Sequence, residues 1–199
     1  MKQPLLIATR NAHKTREIAQ ILAARFSVKD MHAYPDAPEV EETGETFETN
    51  AALKACAASM FNQGWALADD SGLEVDALQG APGVRSARYA GESATDSDNN
   101  ELLLQNLLPF RGKERSARFR CCLVLANAGA MIAVFNGAVE GVIVNERKGA
   151  SGFGYDPLFV PNGYCETFGE LPAEVKNQIS HRSRALRQFS AWLEANPVL

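Results

Sequence analysis

Two adjacent carboxylates, Asp69 and Asp70, follow the apolar run Trp65-Ala66-Leu67-Ala68 and precede Ser71-Gly72. A short run of this kind reads as an inner strand, and acids at its end sit where open α/β sheets present their ligands. Successive strand residues face opposite ways, so one carboxylate turns to the ligand and the other to supporting contacts. Asp-Asp-Ser-Gly beside a core strand is costly without partners, which separates Asp70 from an ordinary solvated acid. A second acidic pair, Glu41-Glu42, lies in a loop. The residues alone do not choose between those two. Oxygen donors without cysteine or histidine at ligand spacing suit a hard cation, and Mg²⁺ held together with phosphates is the usual case.

Positive charge is the next requirement of phosphate chemistry. Lys14, Lys54, Lys148, Lys176, His181 and Arg182 each fall at a turn or helix edge. Singly, each is an ordinary surface charge; gathered, they would offset a triphosphate. A lone histidine within Ser180-His181-Arg182 is ordinarily structural. In Ser151-Gly152-Phe153-Gly154-Tyr155-Asp156-Pro157, two glycines let backbone approach a ligand and leave Phe153 to stack on a planar base. By itself that stretch says no more than a turn. Neither a GxxxxGK[ST] phosphate loop nor a Ser-His-Asp arrangement stands out.

The elements that must position these groups follow from periodicity. Leu5 to Ala8 reads as a buried strand, broken by Thr9-Arg10-Asn11 before a helix with Ile18, Ile21 and Leu22 on one face. A turn of that kind offers backbone N–H groups and a helix dipole to an anion. A turn-rich acidic connector spans Pro35 to Gly44, and a helix from about Thr46 to Phe61 carries Phe47, Ala51, Ala55 and Ala58 as its stripe. Asn50 and Lys54, four apart, share a neighbouring face. The strand at Trp65–Ala68 is expected to stop at Asp69. A helix begins near Asp98 with Leu102, Leu103 and Leu107. Arg115 to Ala126 alternates as a strand, and Met131 to Val144 reads as two further segments around an Asn136-Gly137 turn, all antiparallel. Leu158 to Val160 is a short strand, and a last helix carries Ala185, Leu186, Phe189 and Leu193. The expectation is an α/β fold: a mixed sheet with flanking helices in one domain, 1–199, whose two lobes surround a cleft.

Bulk properties remove several function classes. With 46% apolar and 22% charged residues the chain is ordinary for a globular protein. A net charge of −4 and the lack of a basic stripe argue against a nucleic-acid partner. The N-terminal apolar run is shorter than a signal peptide or membrane span requires, so neither export nor a membrane is expected. Cys56, Cys121, Cys122 and Cys165 show no CxxC spacing and suit reduced thiols in a cytoplasmic protein.

Taken in order, the motifs resemble the inosine/xanthosine triphosphate pyrophosphatases, also called the Ham1 family. The resemblance covers nearly the whole chain: Thr9-x-Asn11-x-x-Lys14; Glu42-Thr43-Gly44-x-Thr46-Phe47-x-x-Asn50-Ala51-x-x-Lys54-Ala55; Ala68-Asp69-Asp70-Ser71-Gly72-Leu73; Gly80-Ala81-Pro82-Gly83; Ser86-Ala87-Arg88-Tyr89; Gly152-Phe153-Gly154-Tyr155-Asp156-Pro157; and Ser180-His181-Arg182-x-x-Ala185-Leu186. It implies a homodimer that cleaves ITP, dITP or XTP between the α and β phosphates with Mg²⁺. Carried over by position, Thr9, Arg10, Asn11, Ala12, His13, Lys14, Asn50 and Lys54 would serve the phosphates, and Glu42 and Asp70 the metal. Asp70 would also accept a proton from the attacking water, with Asp69 and Lys54 beside it, and Ser71 would touch the substrate. Phe153 would stack on the base, and Gly154, Tyr155, Asp156, Lys176, His181 and Arg182 would adjoin it. The family commonly has glycine where Arg10 stands here.

The physics agrees with that carry-over. A metal and lysines offset the charge that resists attack on an α-phosphate, and a carboxylate of ordinary pKa is already ionised to take the proton. Donors from Arg182 or a backbone N–H would pair with the C6 oxygen of hypoxanthine. Facing adenine they would stay unpaired, at about 1–3 kcal/mol each. Two other readings remain open: a related pyrophosphatase for modified pyrimidines or standard nucleotides, and a nucleotide sensor that binds without turnover.

Overall fold

The computed structural model describes residues 2–22 and 24–196. Its strands are β1 (Gln3–Ile7), β2 (Phe26–Asp30), β3 (Trp65–Val75), β4 (Ser116–Asn127), β5 (Ala130–Ile143) and β6 (Phe159–Pro161). They form one six-stranded mixed sheet in the order β2-β1-β3-β4-β5-β6. Among the described residues no helix is long and apolar enough to cross a membrane. Two compact units divide the chain: Met1–Asp70, Cys121–Gly137 and Arg182–Leu199 form the first, and Ser71–Arg120 with Ala138–His181 the second.

In the first unit β1 runs parallel to β2 (Leu5 opposite Val28) and to β3 (Ile7 opposite Leu67). Parallel neighbours need crossovers, supplied by α1 (Ala12–Leu22) and α2 (Phe47–Asn62). The expected apolar positions are the buried ones: Ile18 and Leu22 on α1, and Phe47, Ala51, Ala55 and Ala58 on α2. Thr46 starts α2 by accepting a hydrogen bond from Thr49 N at 3.1 Å, and Gln63 ends it in the left-handed region at φ 50°. From α5 (His181–Ala195), Ala185, Leu186, Phe189 and Leu193 enter the same core as Leu5, Ile7, Ile18, Leu67 and Leu123. Phe189 meets Phe26 and Phe135 at ring separations of 6.0 and 5.4 Å.

In the second unit Leu73, Val75, Leu103, Leu107, Phe119, Ile143, Leu158 and Phe168 form a separate core. α3 (Asp96–Asn106) opens with a capping box between Thr95 and Asp98, two residues before the expected start. β6 lies antiparallel to β5, Val160 opposite Val142. Gly141 is required there, because a Cβ would stand 2.3 Å from the Val160 carbonyl.

Beyond shifts of one or two residues at element ends, the elements differ from expectation at β3, β5, β2 and α4. β3 does not stop at Asp69 but continues through both aspartates to Val75, its charges compensated by side chains rather than by a turn. β5 is one unbroken strand: Asn136-Gly137 stays extended, and the reversal occurs instead at Ala128 and Gly129, with φ of 48° and 85°. A link of two residues between neighbouring strands makes β4 and β5 antiparallel, as expected. Two short elements went unread. β2, Phe-Ser-Val-Lys-Asp, carries only alternate apolar residues, and α4 (Ala173–Ile179) has seven residues, too few for a helical period.

Candidate active site

Asp69 and Asp70 stand in mid-strand, and the alternation of β3 sends them to different partners. Asp69, 1% exposed, lies in an ionic cluster. Its carboxylate receives Lys14 Nζ at 2.7 Å, Arg182 Nε at 2.8 Å and the thiol of Cys121 at 3.2 Å. Arg182 also bonds Glu17 on α1. Burial pushes the Asp69 carboxyl up, but Arg182 and Lys14 outweigh it and hold the group well below the usual carboxylate range.

Asp70 meets a different neighbour. Its Oδ1 accepts from Lys54 Nζ at 2.8 Å, and the same ammonium donates to Glu42 Oε1 at 2.6 Å and to the Asp69 carbonyl at 3.1 Å. All three Lys54 donors are therefore engaged, and of the two loop acids it is Glu42 that joins. Asp70 Oδ2 is buried and, among the described residues, has no hydrogen-bond partner. Burial raises the Asp70 pKa above its ordinary value, a shift that the charges of Lys54 and Lys14 only reduce. The expectation of a carboxylate without tuning is thus corrected: desolvation makes Asp70 a stronger base than a free aspartate.

Backbone geometry explains why the two lysines converge. β1 pairs with β3 at Leu6 and Ile7, and Ala8 N still donates to the Leu67 carbonyl at 2.9 Å. The next carbonyl on that side, Asp69 O, takes Lys54 at 3.1 Å and Lys14 at 3.3 Å instead of a strand partner. Asn50, one helical turn before Lys54, fixes the acidic loop. Its Oδ1 accepts from Gly44 N at 2.8 Å, and a Cβ on Gly44 would stand 2.6 Å from that oxygen.

The turn from Thr9 to Lys14 is more self-contained than an open anion site. Asn11 caps α1, its Oδ1 accepting from His13 N at 2.9 Å and Lys14 N at 3.2 Å, while Asn11 N donates to Thr9 Oγ1 at 3.1 Å. The backbone donors of residues 11, 13 and 14 are thereby engaged within the turn. The Lys14 ammonium carries the turn's charge to the cluster. Ala12 begins the helix and is exposed. Arg10, in place of the glycine common in the family, donates to the carbonyls of Met31 at 3.3 Å and Ala37 at 2.9 Å and so ties the turn to that loop.

The remaining expected residues belong to the second unit, where Ser71 continues β3 half-buried. Asp156, 2% exposed, accepts from Phe153 N at 2.8 Å and pairs with Lys176 on α4 at 2.5 Å. The Lys176 ammonium lies 4.9 Å from the centre of the Phe153 ring and 5.7 Å from that of Phe168, so Phe153 is held on a cation. Gly152 makes the turn possible: it sits at φ 77°, and a Cβ would stand 2.0 Å from Asp156 Oδ2. Tyr155 is buried and donates to the Ser86 carbonyl at 2.8 Å. His181 stacks on Phe119 at 4.9 Å. Lys148 is exposed. Glu17 and Cys121, which touch Arg182 and Asp69, went unread. Glu17 lies three positions after Lys14, on the same face of α1, and that spacing was the available signal.

The mixed sheet thus carries a buried carboxylate–lysine centre in its first unit, and the second unit holds an aromatic ring over a lysine. The chain belongs to the Ham1 family, whose model matches residues 5–192. It is 51% identical over 183 residues to a protein of Geobacter sulfurreducens named dITP/XTP pyrophosphatase, covering 92% of each chain. A protein of Halalkalibacterium halodurans with the same name is 47% identical over 190 residues, covering 95% of this chain and 98% of the other. Among solved structures, the Staphylococcus aureus Ham1 protein matches with a TM-score of 0.85 at 40% identity, covering 97% of this chain and 99% of that one. A HAM1 protein from Coxiella burnetii matches with a TM-score of 0.87 at 38% identity over the same shares.

Proposed function

We propose that this protein hydrolyses dITP, ITP and XTP to the nucleoside monophosphate and pyrophosphate, with Mg²⁺. The observation that carries the reading is Asp70: a buried carboxylate with one oxygen fixed by Lys54 and the other unpartnered among the described residues. The names of relatives about half identical in sequence support the substrate class. Oxygen donors of this kind suit Mg²⁺, which keeps several waters and is held by one or two carboxylates together with substrate phosphates. Asp70 and Glu42 would hold it, and it would offset negative charge on the phosphates.

The chain's own residues supply the rest. Lys54 fixes Asp70 and Glu42 against each other. Lys14 has acceptors only on Asp69 among the described residues, which leaves it an N–H for a phosphate oxygen. Asp70 takes the proton of the water that attacks the α-phosphorus, and pyrophosphate departs. Phe153 stacks on the base, with Lys176 and Asp156 fixing its loop; the Arg182 guanidinium, expected beside the base, is instead taken up by Asp69 and Glu17. The test is pyrophosphate release from dITP, XTP, dATP, dGTP and a modified pyrimidine triphosphate, with Mg²⁺ and then with chelator. Release from dITP and XTP alone, lost on chelation, is expected. Equal release from dATP would overturn the substrate assignment, and tight binding without release would make the protein a sensor.

We also propose that two copies associate through the first unit. Met60, Phe61, Met131 and Ile132 are large apolar residues left exposed. Gly129 N donates to Ser59 Oγ at 2.9 Å, so the end of α2 and the β4–β5 turn carry them side by side. Large apolar side chains left exposed near one another suit an interaction face.

A further inference from the structure

The first turns of α3 take no part in the chemistry above, yet they hold the loop that carries Phe153. Gly154 follows Phe153, and both of its backbone groups are bound by α3. Its N–H donates to Asp96 Oδ2 at 2.6 Å, and its carbonyl accepts from Asn100 Nδ2 at 2.9 Å. Asn100 is fully buried, and its amide is fixed a second time by donating to the Asp96 carbonyl at 2.7 Å. Asn100 Oδ1 is buried with no hydrogen-bond partner among the described residues. Retaining a buried acceptor without compensation is unfavourable, so the benefit of this asparagine lies in its donor side.

Its neighbour repeats the pattern on another segment. Asn99, 2% exposed, accepts from Ala90 N at 2.8 Å and donates to the Ala87 carbonyl at 3.1 Å. That segment is joined to the Phe153 loop, because the Tyr155 hydroxyl bonds the Ser86 carbonyl at 2.8 Å. Ser86 Oγ in turn accepts from Leu73 N in β3 at 2.9 Å. Two successive asparagines inside a helix are unfavourable by propensity, and here they serve the backbone of other segments.

We infer that Asp96 and Asn100 are positioning residues that clamp the Gly154 peptide from both sides and so fix the stacking plane of Phe153, setting affinity for the base without touching the phosphates. This rests on the reading of Phe153 as the residue that stacks on the base. The test compares inhibition by two product probes, dIMP, which carries the base, and inorganic pyrophosphate, which does not. Asp96→Ala is expected to weaken dIMP inhibition about tenfold, the effect of losing one hydrogen bond to a charged acceptor, and to leave pyrophosphate inhibition unchanged. It is also expected to raise KM for dITP by more than it lowers kcat. Asp96→Asn, which keeps an acceptor oxygen for Gly154 N, is expected to restore most of the loss. Asn100→Ala should follow Asp96→Ala; if it fails to fold, the two Asp96 variants decide alone. Parallel losses for dIMP and pyrophosphate, or no change in either, would overturn the inference. Phe153→Ala separates the failures: unchanged dIMP inhibition there would sink the reading of the loop itself, whereas weaker dIMP inhibition there but not in Asp96→Ala would sink only the clamp.

Discussion

Asp69 and Asp70 are neighbours with opposite electrostatics, because successive strand residues face different surroundings. Asp69 is held ionised by Arg182 and Lys14, so its contribution to stability is present above the ordinary value of 3.8 and is lost as pH falls through its lower folded value. Asp70 has the reverse sign. Its raised pKa means that folding favours the neutral acid, so stability is fully present below 3.8 and declines as pH rises through the folded value. Thermal melting of the metal-free protein checks both. Asp70→Asn should melt above the wild type at pH 7, the gap closing as pH approaches 3.8, while turnover of dITP disappears. A lower melting point at pH 7 would show that the lost Lys54 contact dominates. Asp69→Asn removes the carboxylate that Lys14 and the buried Arg182 share and should cost about 3–5 kcal/mol in denaturant unfolding. The lysines should also separate. Lys54→Ala is expected to lower kcat about 10²–10³-fold, and Lys14→Ala to raise KM for dITP more than it lowers kcat; equal effects on both constants in both variants would refute the division of labour.

Elements were legible where their period was long enough to read. The α2 stripe at Phe47, Ala51, Ala55 and Ala58 stands as the sequence spaces it, whereas β4 alternates only up to Cys121 and is buried on both faces from there to Ala126. The carboxylate–lysine centre was legible as residues, but not as geometry, since the pairing of Asp69 with Arg182 joins positions 113 apart. The end of β3 was misjudged because two adjacent aspartates resemble a turn, and only the distant partners that neutralise them permit a strand. Asn-Gly at 136–137 failed in the same way: local turn preference lost to the long strand that runs on beside β4. The Gly152 turn was legible, and its reason is now concrete. Gly152→Ala forces a side chain into the left-handed region and against Asp156. It should cost about 1–3 kcal/mol of stability and raise KM for dITP, as denaturant melts and steady-state kinetics would show. Unchanged KM would mean that the loop tolerates the displacement of Asp156.

At the scale of the molecule, the net charge of −4 agrees with positive charge kept local to the clusters around Asp69 and Asp156. What composition could not place is the apolar surface of α2 and the β4–β5 turn. Sedimentation of the wild type should report a dimer. A doubly charged variant, Met60→Glu with Ile132→Glu, should sediment as a monomer at micromolar concentration because burying unpaired carboxylates in such a contact is prohibitive. An unaltered sedimentation coefficient would place the contact elsewhere.

The continuity of β3 through its two aspartates has a further consequence. Functional acids are commonly borne on loops that open locally, but here the amides of Asp69 and Asp70 lie within an inner strand of a six-stranded sheet. In deuterium oxide the Asp70 amide, which faces β4, should therefore rank among the slowest in the chain to take up the isotope, exchanging only when the sheet itself comes apart, while the Pro35–Gly44 segment that carries Glu42 labels quickly. The base would stay in place, and the partner acid would be the one that comes and goes.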